Sequence, residues 1–203
     1  PAGSGIQIET LKTRYPQGAE KQLIQKLTGR QVPPGKLPAD VRCVLFNVAT
    51  AAAVYDAVHD GLPLTRRIVT VSGGAVRTPR NLLVPIGTPL DHLLEECGGL
   101  TAEPGRVLLG GPMMGNAQFD LHAATIKGTN ALLFLERKEC SPIPEKDPAC
   151  IRCGRCVRAC PMNLIPLYFD LYTRHGRVRE LEKFHIMDCM ECGSCAYVCP
   201  AHI

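Results

Sequence analysis

Two stretches of this 203-residue chain carry thiols at a spacing suited to redox chemistry: Cys150-Ile-Arg-Cys-Gly-Arg-Cys-Val-Arg-Ala-Cys-Pro161 and Cys189-Met-Glu-Cys-Gly-Ser-Cys-Ala-Tyr-Val-Cys-Pro200. Both read C-x2-C-x2-C-x3-C-P. In that run, three thiolates on one tight loop face three irons of a 4Fe-4S cube, and the fourth thiolate serves the other cube. One cluster is therefore expected on Cys150, Cys153, Cys156 and Cys199, and a second on Cys189, Cys192, Cys195 and Cys160. Pro161 and Pro200 turn the chain away after each fourth Cys. Structural zinc is the rival, since it accepts four thiolates and also uses C-x2-C pairs. It has no use for a third Cys at the same step or for the trailing C-P.

The two motifs differ in their flanks. Arg152, Arg155 and Arg158 surround the first, whereas Glu191, Ser194 and Tyr197 surround the second. Positive charge favours the reduced cluster, so the site built on the first loop is expected at the higher potential, unless these arginines form only a solvated face. The remaining cysteines, Cys43, Cys97 and Cys140, are scattered and are expected to be inert. Eight thiols clustered in sequence are poor partners for structural bridging and point to metal in a reducing compartment.

Composition sets the elements that must carry these loops. At 45% hydrophobic residues the chain has apolar surface for a real core, and with 19 Gly, 17 Pro, 5% aromatics and no Trp it favours a mixed α+β architecture. Two clusters with their thiolates carry a formal charge of about −2 each, which cancels the apparent excess. The net charge of +4 is thus weak support for nucleic acid or anionic lipid, and no aromatic-interleaved basic patch appears. No apolar run approaches the roughly 18 to 20 residues of a membrane span. The N-terminus has no signal-like segment, and the chain begins with Pro1 rather than Met, so it reads as a soluble excerpt of a longer polypeptide.

Residues 14–30 read as a turn around Pro16 and Gly18, then a short helix with Leu23, Ile24 and Leu27 on one face. A strand is expected at 41–46 and an Ala-rich helix at 48–59, capped by Asn47 and closed by Gly61. That strand-to-helix junction is a possible ligand site. Strands at 68–72, 82–86 and 106–110 surround a helix opened by Thr88-Pro89, with Thr88 as cap and Pro89 at the first position, and closed by Gly98-Gly99, a β-β-α-β order that suits a β-grasp-like fold. A further strand is expected at 131–135, a Pro-rich boundary at 138–148, and two helices between the cysteine motifs, broken at Gly176. The histidines lack ligand spacing, and Gly110-Gly-Pro-Met-Met reads as a tight turn with apolar filler.

The chain resembles the C subunits of Rnf electron transport complexes. The resemblance runs through Tyr15-Pro-Gln-Gly-Ala-Glu-Lys-Gln-Leu, Asn47-Val-Ala-Thr50, Val84-Pro-Ile-Gly-Thr-Pro89, Gly110-Gly-Pro-Met-Met-Gly115 and both cysteine motifs. It implies three parts: the C-terminal portion of an FMN/NADH-binding α/β domain at 1–64, a β-grasp (soluble-ligand-binding) domain with its return strand at 65–137, and a two-cluster ferredoxin-like domain at 138–203. By the same resemblance Gly18 and Glu20 match the family's turn near flavin and nicotinamide, and Asn47 and Thr50 match its FMN-touching segment. An ordinary helix cap at Asn47 and an exposed first-turn acid at Glu20 are the plainer alternatives. The family's glycine-rich flavin loop is expected before Pro1, so the flavin site is expected to be incomplete in this chain. The implied function is NADH-linked electron transfer through FMN and two 4Fe-4S clusters to membrane-bound partner subunits, coupled to ion movement, at the cytoplasmic face of the bacterial membrane. Rivals are a soluble flavin and iron-sulfur reductase of the cobalamin reductase kind, and a non-catalytic ferredoxin-like module.

Overall fold

The computed structural model describes residues 4–140 and 148–203. Most of the expected boundary at 138–148 therefore lies outside the described residues. The fold is mixed α/β around a single mixed sheet of five strands, ordered β2-β1-β5-β3-β4.

Strand β1 (Arg66–Ser72) alternates as the pleat requires: Val69 and Val71 are fully buried while Ile68 and Thr70 face out. It pairs antiparallel with β2 (Arg80–Pro85), Val69 opposite Leu82, and the Thr70 hydroxyl donates to Asn81 Oδ1 at 2.8 Å across the pair. On its other edge β1 runs parallel to β5 (Ala131–Leu135), which in turn pairs antiparallel with β3 (Arg106–Leu109). A two-residue strand, β4 (Asn116–Ala117), closes the edge beyond β3 and has no periodic signal in the sequence. Helix α3 (Leu90–Glu96) lays Leu90, Leu93 and Leu94 against Val69, Val71, Val84, Leu132 and Phe134, and this is the hydrophobic core. Only glycine fits where β1 leaves the sheet: Gly73 has φ 116°, and a Cβ there would lie 2.1 Å from the Phe134 carbonyl oxygen.

Two local expectations are corrected. Residues 41–46 form no strand: a 3-10 turn at Pro38–Val41 leads into an irregular segment with Val44 and Phe46 exposed. An apolar run becomes a strand only where a neighbour completes its backbone hydrogen bonds, and none is paired with it among the described residues. At α3 the cap is Pro89 in an extended conformation, and the Thr88 hydroxyl instead donates to the Pro85 carbonyl at 2.9 Å.

The N-terminal helices are α1 (Glu20–Thr28), stopped by Gly29 in the left-handed region, and α2 (Val48–His59). Asn47 caps α2 as its position suggests, Oδ1 accepting from the Ala49 amide at 2.9 Å. Helix α2 buries none of its residues against the described chain. After residue 148 come α4 (Arg155–Ala159), α5 (Pro166–Arg174), α6 (Val178–Lys183) and α7 (Ser194–Tyr197). Helices α5 and α6 close on Tyr168, Tyr172 and Phe184, with ring centroids 4.8 to 5.8 Å apart, and the Arg177 guanidinium sits 5.3 Å above Tyr172. The break between them falls at Gly176, φ 63°.

Candidate iron-sulfur centre

The two cysteine loops share one backbone. Left-handed conformations recur in register: Arg152 (φ 56°) and Glu191 (φ 55°) two residues into each motif, then Gly154 (φ 71°) and Gly193 (φ 74°) at the helix caps. Asn163 (φ 56°) and His202 (φ 55°) follow three residues beyond each fourth Cys. Equivalent turns are closed by Arg158 N to Gly154 O at 3.2 Å and Tyr197 N to Gly193 O at 3.0 Å, and by Asn163 N to Cys160 O and His202 N to Cys199 O, both 3.2 Å. Positive φ at non-glycine residues costs free energy and persists where the surroundings dictate the path of the chain. Here that path wraps each motif around its own thiols.

The wrapping brings one expected ligand set together. Cys160 from the first motif and Cys189, Cys192 and Cys195 from the second line a single cavity of about 260 Å³, closed on its apolar side by residues such as Met162, Leu164 and Phe169. Backbone amides already point at the sulfurs: Leu164 N donates to Cys160 Sγ at 3.3 Å and Glu191 N to Cys189 Sγ at 3.4 Å. Burial pushes the Cys195 thiol above its ordinary value. The amides of Ala196 and Cys195 pull it partly back, and negative charge on Cys189 and Cys192 pushes it up again. A bare thiolate at Cys195 is therefore costly in this cavity, and a bound cationic iron core would offset that cost. Among the described residues no three His, Cys, Asp or Glu side chains converge closely enough to hold a single metal ion. The donor set and the cavity fit a 4Fe-4S cluster.

The other set is not gathered into one cavity. Cys150 and Cys153 are exposed; Cys150 borders an open groove with Arg152, Tyr168 and Arg174, and Cys199 borders another with Arg155, Arg158 and Tyr197. Its fit rests on the repeated backbone. The scattered thiols stand apart from both sets: Cys97 is fully buried in the sheet core, Cys140 donates to the Glu136 carbonyl at 3.4 Å, and Cys43 lies near Arg30.

Sequence reasoning missed what holds the walls of the cavity formed by Cys160, Cys189, Cys192 and Cys195. The Tyr15 hydroxyl donates to the Cys192 carbonyl at 2.6 Å, and desolvation, with charge on Cys192 adding, holds this phenol above its usual range and keeps it a donor. Gln22 Nε2 donates to Met162 Sδ at 2.8 Å, and Met113 lies against Gly193, where a Cβ would meet its carbonyl oxygen at 3.3 Å and its Cε at 3.4 Å. Tyr15 and Met113 both fall in segments that carry the family resemblance, but no local signal ties either one to a thiol loop.

Of the expected flavin contacts, Gly18 and Glu20 sit at the entry to α1, and Asn47 and Thr50 on the first turn of α2. The cavity in front of α1 is bordered by Arg14, Tyr15, Gln17, Gln22 and Pro161 and includes none of the four.

Comparison with known families finds matches to three segments of the chain. Residues 2–56 match the Nuo51 FMN-binding domain, 68–117 the SLBB domain and 149–203 the 4Fe-4S dicluster domain. FMN and two 4Fe-4S clusters are the cofactors these matches support. The C subunit of the proton-translocating ferredoxin:NAD(+) oxidoreductase complex of Clostridium ljungdahlii is 47% identical over 92% of this chain and 40% of its own length. The C subunit of the Na(+)-translocating complex of Acetobacterium woodii is 43% identical over 91% of this chain and 41% of its own. The chain is homologous to part of the Rnf-type C subunits. A third such relative, the C subunit of the ion-translocating oxidoreductase complex of Rhodobacter capsulatus, is 45% identical over 91% of this chain and 35% of its own length. The chain thus spans about two fifths of the C subunits it matches. No helix among the described residues is long and apolar enough to cross a membrane.

Proposed function

We propose that this chain is the electron relay of an Rnf-type C subunit, moving electrons between an NAD(H)-linked FMN and partner subunits of an ion-translocating oxidoreductase complex. The observation that carries the reading is the crosswise cavity, in which Cys160 of one motif joins Cys189, Cys192 and Cys195 of the other. Cys150, Cys153, Cys156 and Cys199 hold the second cluster on the repeated backbone. A bound 4Fe-4S cluster takes up and releases one electron at a time. The thiolates anchor it, the amides of Leu164 and Glu191 donate to its sulfur ligands, and Met162, Leu164 and Phe169 keep water from one side.

The parts divide as 1–64 for the flavin side, 65–137 for a β-grasp unit carried by the five-stranded sheet and α3, and 138–203 for the clusters. The FMN contacts contributed here are Gly18, Glu20, Asn47 and Thr50, completed by chain outside these residues. The N-terminus of α2, where Asn47 stands, suits a phosphate or ribityl oxygen. In this reading the subunit lies at the cytoplasmic face of the bacterial membrane, held there by other subunits.

Iron and acid-labile sulfide analysis of the anaerobically purified protein tests the relay. About eight of each per chain is expected. A colourless protein holding zinc overturns it. In the full-length subunit, NADH is expected to bleach the flavin and then reduce the clusters; clusters reducible by dithionite but not by NADH would leave a ferredoxin-like module instead.

A further inference from the structure

The two cysteine loops repeat one backbone, but the rest of the chain grips them unequally. Cys192 is 7% exposed, whereas its counterpart Cys153 is exposed. The Cys192 carbonyl receives the Tyr15 hydroxyl at 2.6 Å, from a residue 177 positions away. Met113, from the turn after β3, packs on the adjoining Gly193, whereas Gly154 at the equivalent position meets only Arg158 of its own helix, at 3.7 Å. Gln22 of α1 reaches Met162 beside Cys160. Tyr15 and Gln22 belong to the segment matching the FMN-binding family, and Met113 to the segment matching the SLBB family.

We propose that Tyr15 is a positioning residue for the cluster of Cys160, Cys189, Cys192 and Cys195, setting that cluster's potential and making it the relay's contact with the flavin side. The proposal rests on the assignment of these cysteines as ligands. Its physical basis is the Cys192–Gly193 peptide. A carbonyl oxygen carries partial negative charge, and a reduced cluster carries one more negative charge than an oxidised one. A hydroxyl donated to that oxygen withdraws part of the charge and fixes the peptide dipole beside the cluster, which favours the reduced state. Tyr15 also ties the loop to the part of the chain assigned to FMN, so the cluster nearer that part is the one whose loop it holds.

The test is Tyr15→Phe in the full-length subunit, which keeps the ring and removes only the donor. EPR-monitored redox titration reads both clusters, and Cys160→Ser, which removes one signal, assigns them. The expected result is unchanged iron content, a more negative midpoint for the cluster that depends on Cys160, and an unmoved midpoint for the other. Two intact clusters whose midpoints both stay put, or both move equally, overturn the role of Tyr15. A wild-type protein without clusters overturns the ligand assignment itself, so the two failures are distinguishable. Flash reduction through the flavin adds a kinetic readout: the Cys160-dependent cluster is expected to be reduced first, and the reverse order would sink its place in the relay.

Discussion

The first and second cysteine loops are near copies in sequence and in backbone, yet one is open and the other is built into the molecule. Cys150 and Cys153 lie on the surface among exposed arginines. The second loop closes an apolar cavity and is held by Tyr15 and Met113, while Gln22 reaches Met162 on the cavity wall just after the first motif. Spacing points to the kind of metal centre, and tertiary contacts are expected to set how each centre behaves. An apolar, less solvated setting disfavours the added negative charge of reduction, whereas an exposed setting with nearby arginines tolerates it. The pair is therefore expected to be graded, with the lower potential at the cavity and the higher at the open loop.

The largest expected effect comes from cutting the crossover. Cys160→Ser alters a residue of the first motif but is expected to abolish the cluster of the second, lowering iron by about half. Cys156→Ser, four residues earlier, is expected to abolish the other one. If the two variants lose the same EPR signal, each motif holds its own cluster and the crosswise arrangement is wrong.

The gathering of Cys160 with Cys189, Cys192 and Cys195 around one cavity is what the cysteine spacing led one to expect, because the chemistry of a cube demands its ligands at fixed steps. Asn47 at the start of α2, the Gly176 break and the strand at 68–72 were legible, since each is a local consequence of backbone geometry or side-chain type. Residues 41–46 were misread because their apolar character promised a strand that only a neighbour can complete. Thr88 was misread because Pro89 fits a cap as well as a first helical position, and nearby Pro85 offered the hydroxyl another acceptor. Tyr15 on Cys192 was beyond reach: nothing local to either residue encodes a hydrogen bond across 177 positions.

A middling effect separates the two helix caps. Gly154→Ala and Gly193→Ala both place a side chain at positive φ, a strain of about 1 kcal/mol each. Gly193→Ala adds a close approach to the Met113 carbonyl at 3.3 Å, which backbone cannot easily relieve, whereas Gly154→Ala meets only the end of Arg158. Iron release to a chelator during denaturant titration is expected at lower denaturant for Gly193→Ala than for Gly154→Ala. Equal midpoints would show that Met113 does not brace the second loop.

The smallest effect concerns the arginines of the open loop. Arg152, Arg155 and Arg158 are all exposed, so water and salt screen them from the cluster they flank, and Arg155 and Arg158 border the groove that Cys199 enters. Arg155→Glu replaces a positive charge with a negative one and is expected to lower the midpoint of the cluster on Cys150, Cys153, Cys156 and Cys199, leaving the Cys160-dependent cluster nearly unchanged. Screening dictates a second signature: the Debye length falls from about 30 Å at 0.01 M ionic strength to about 3 Å at 1 M, so the shift should shrink as salt is added. The Tyr15→Phe shift, which arises from a hydrogen bond beside a buried residue, should not. Redox titration of both variants at low and high salt distinguishes an open loop tuned by its surface from an enclosed loop tuned by its contacts. Matching salt dependence in the two would erase that distinction.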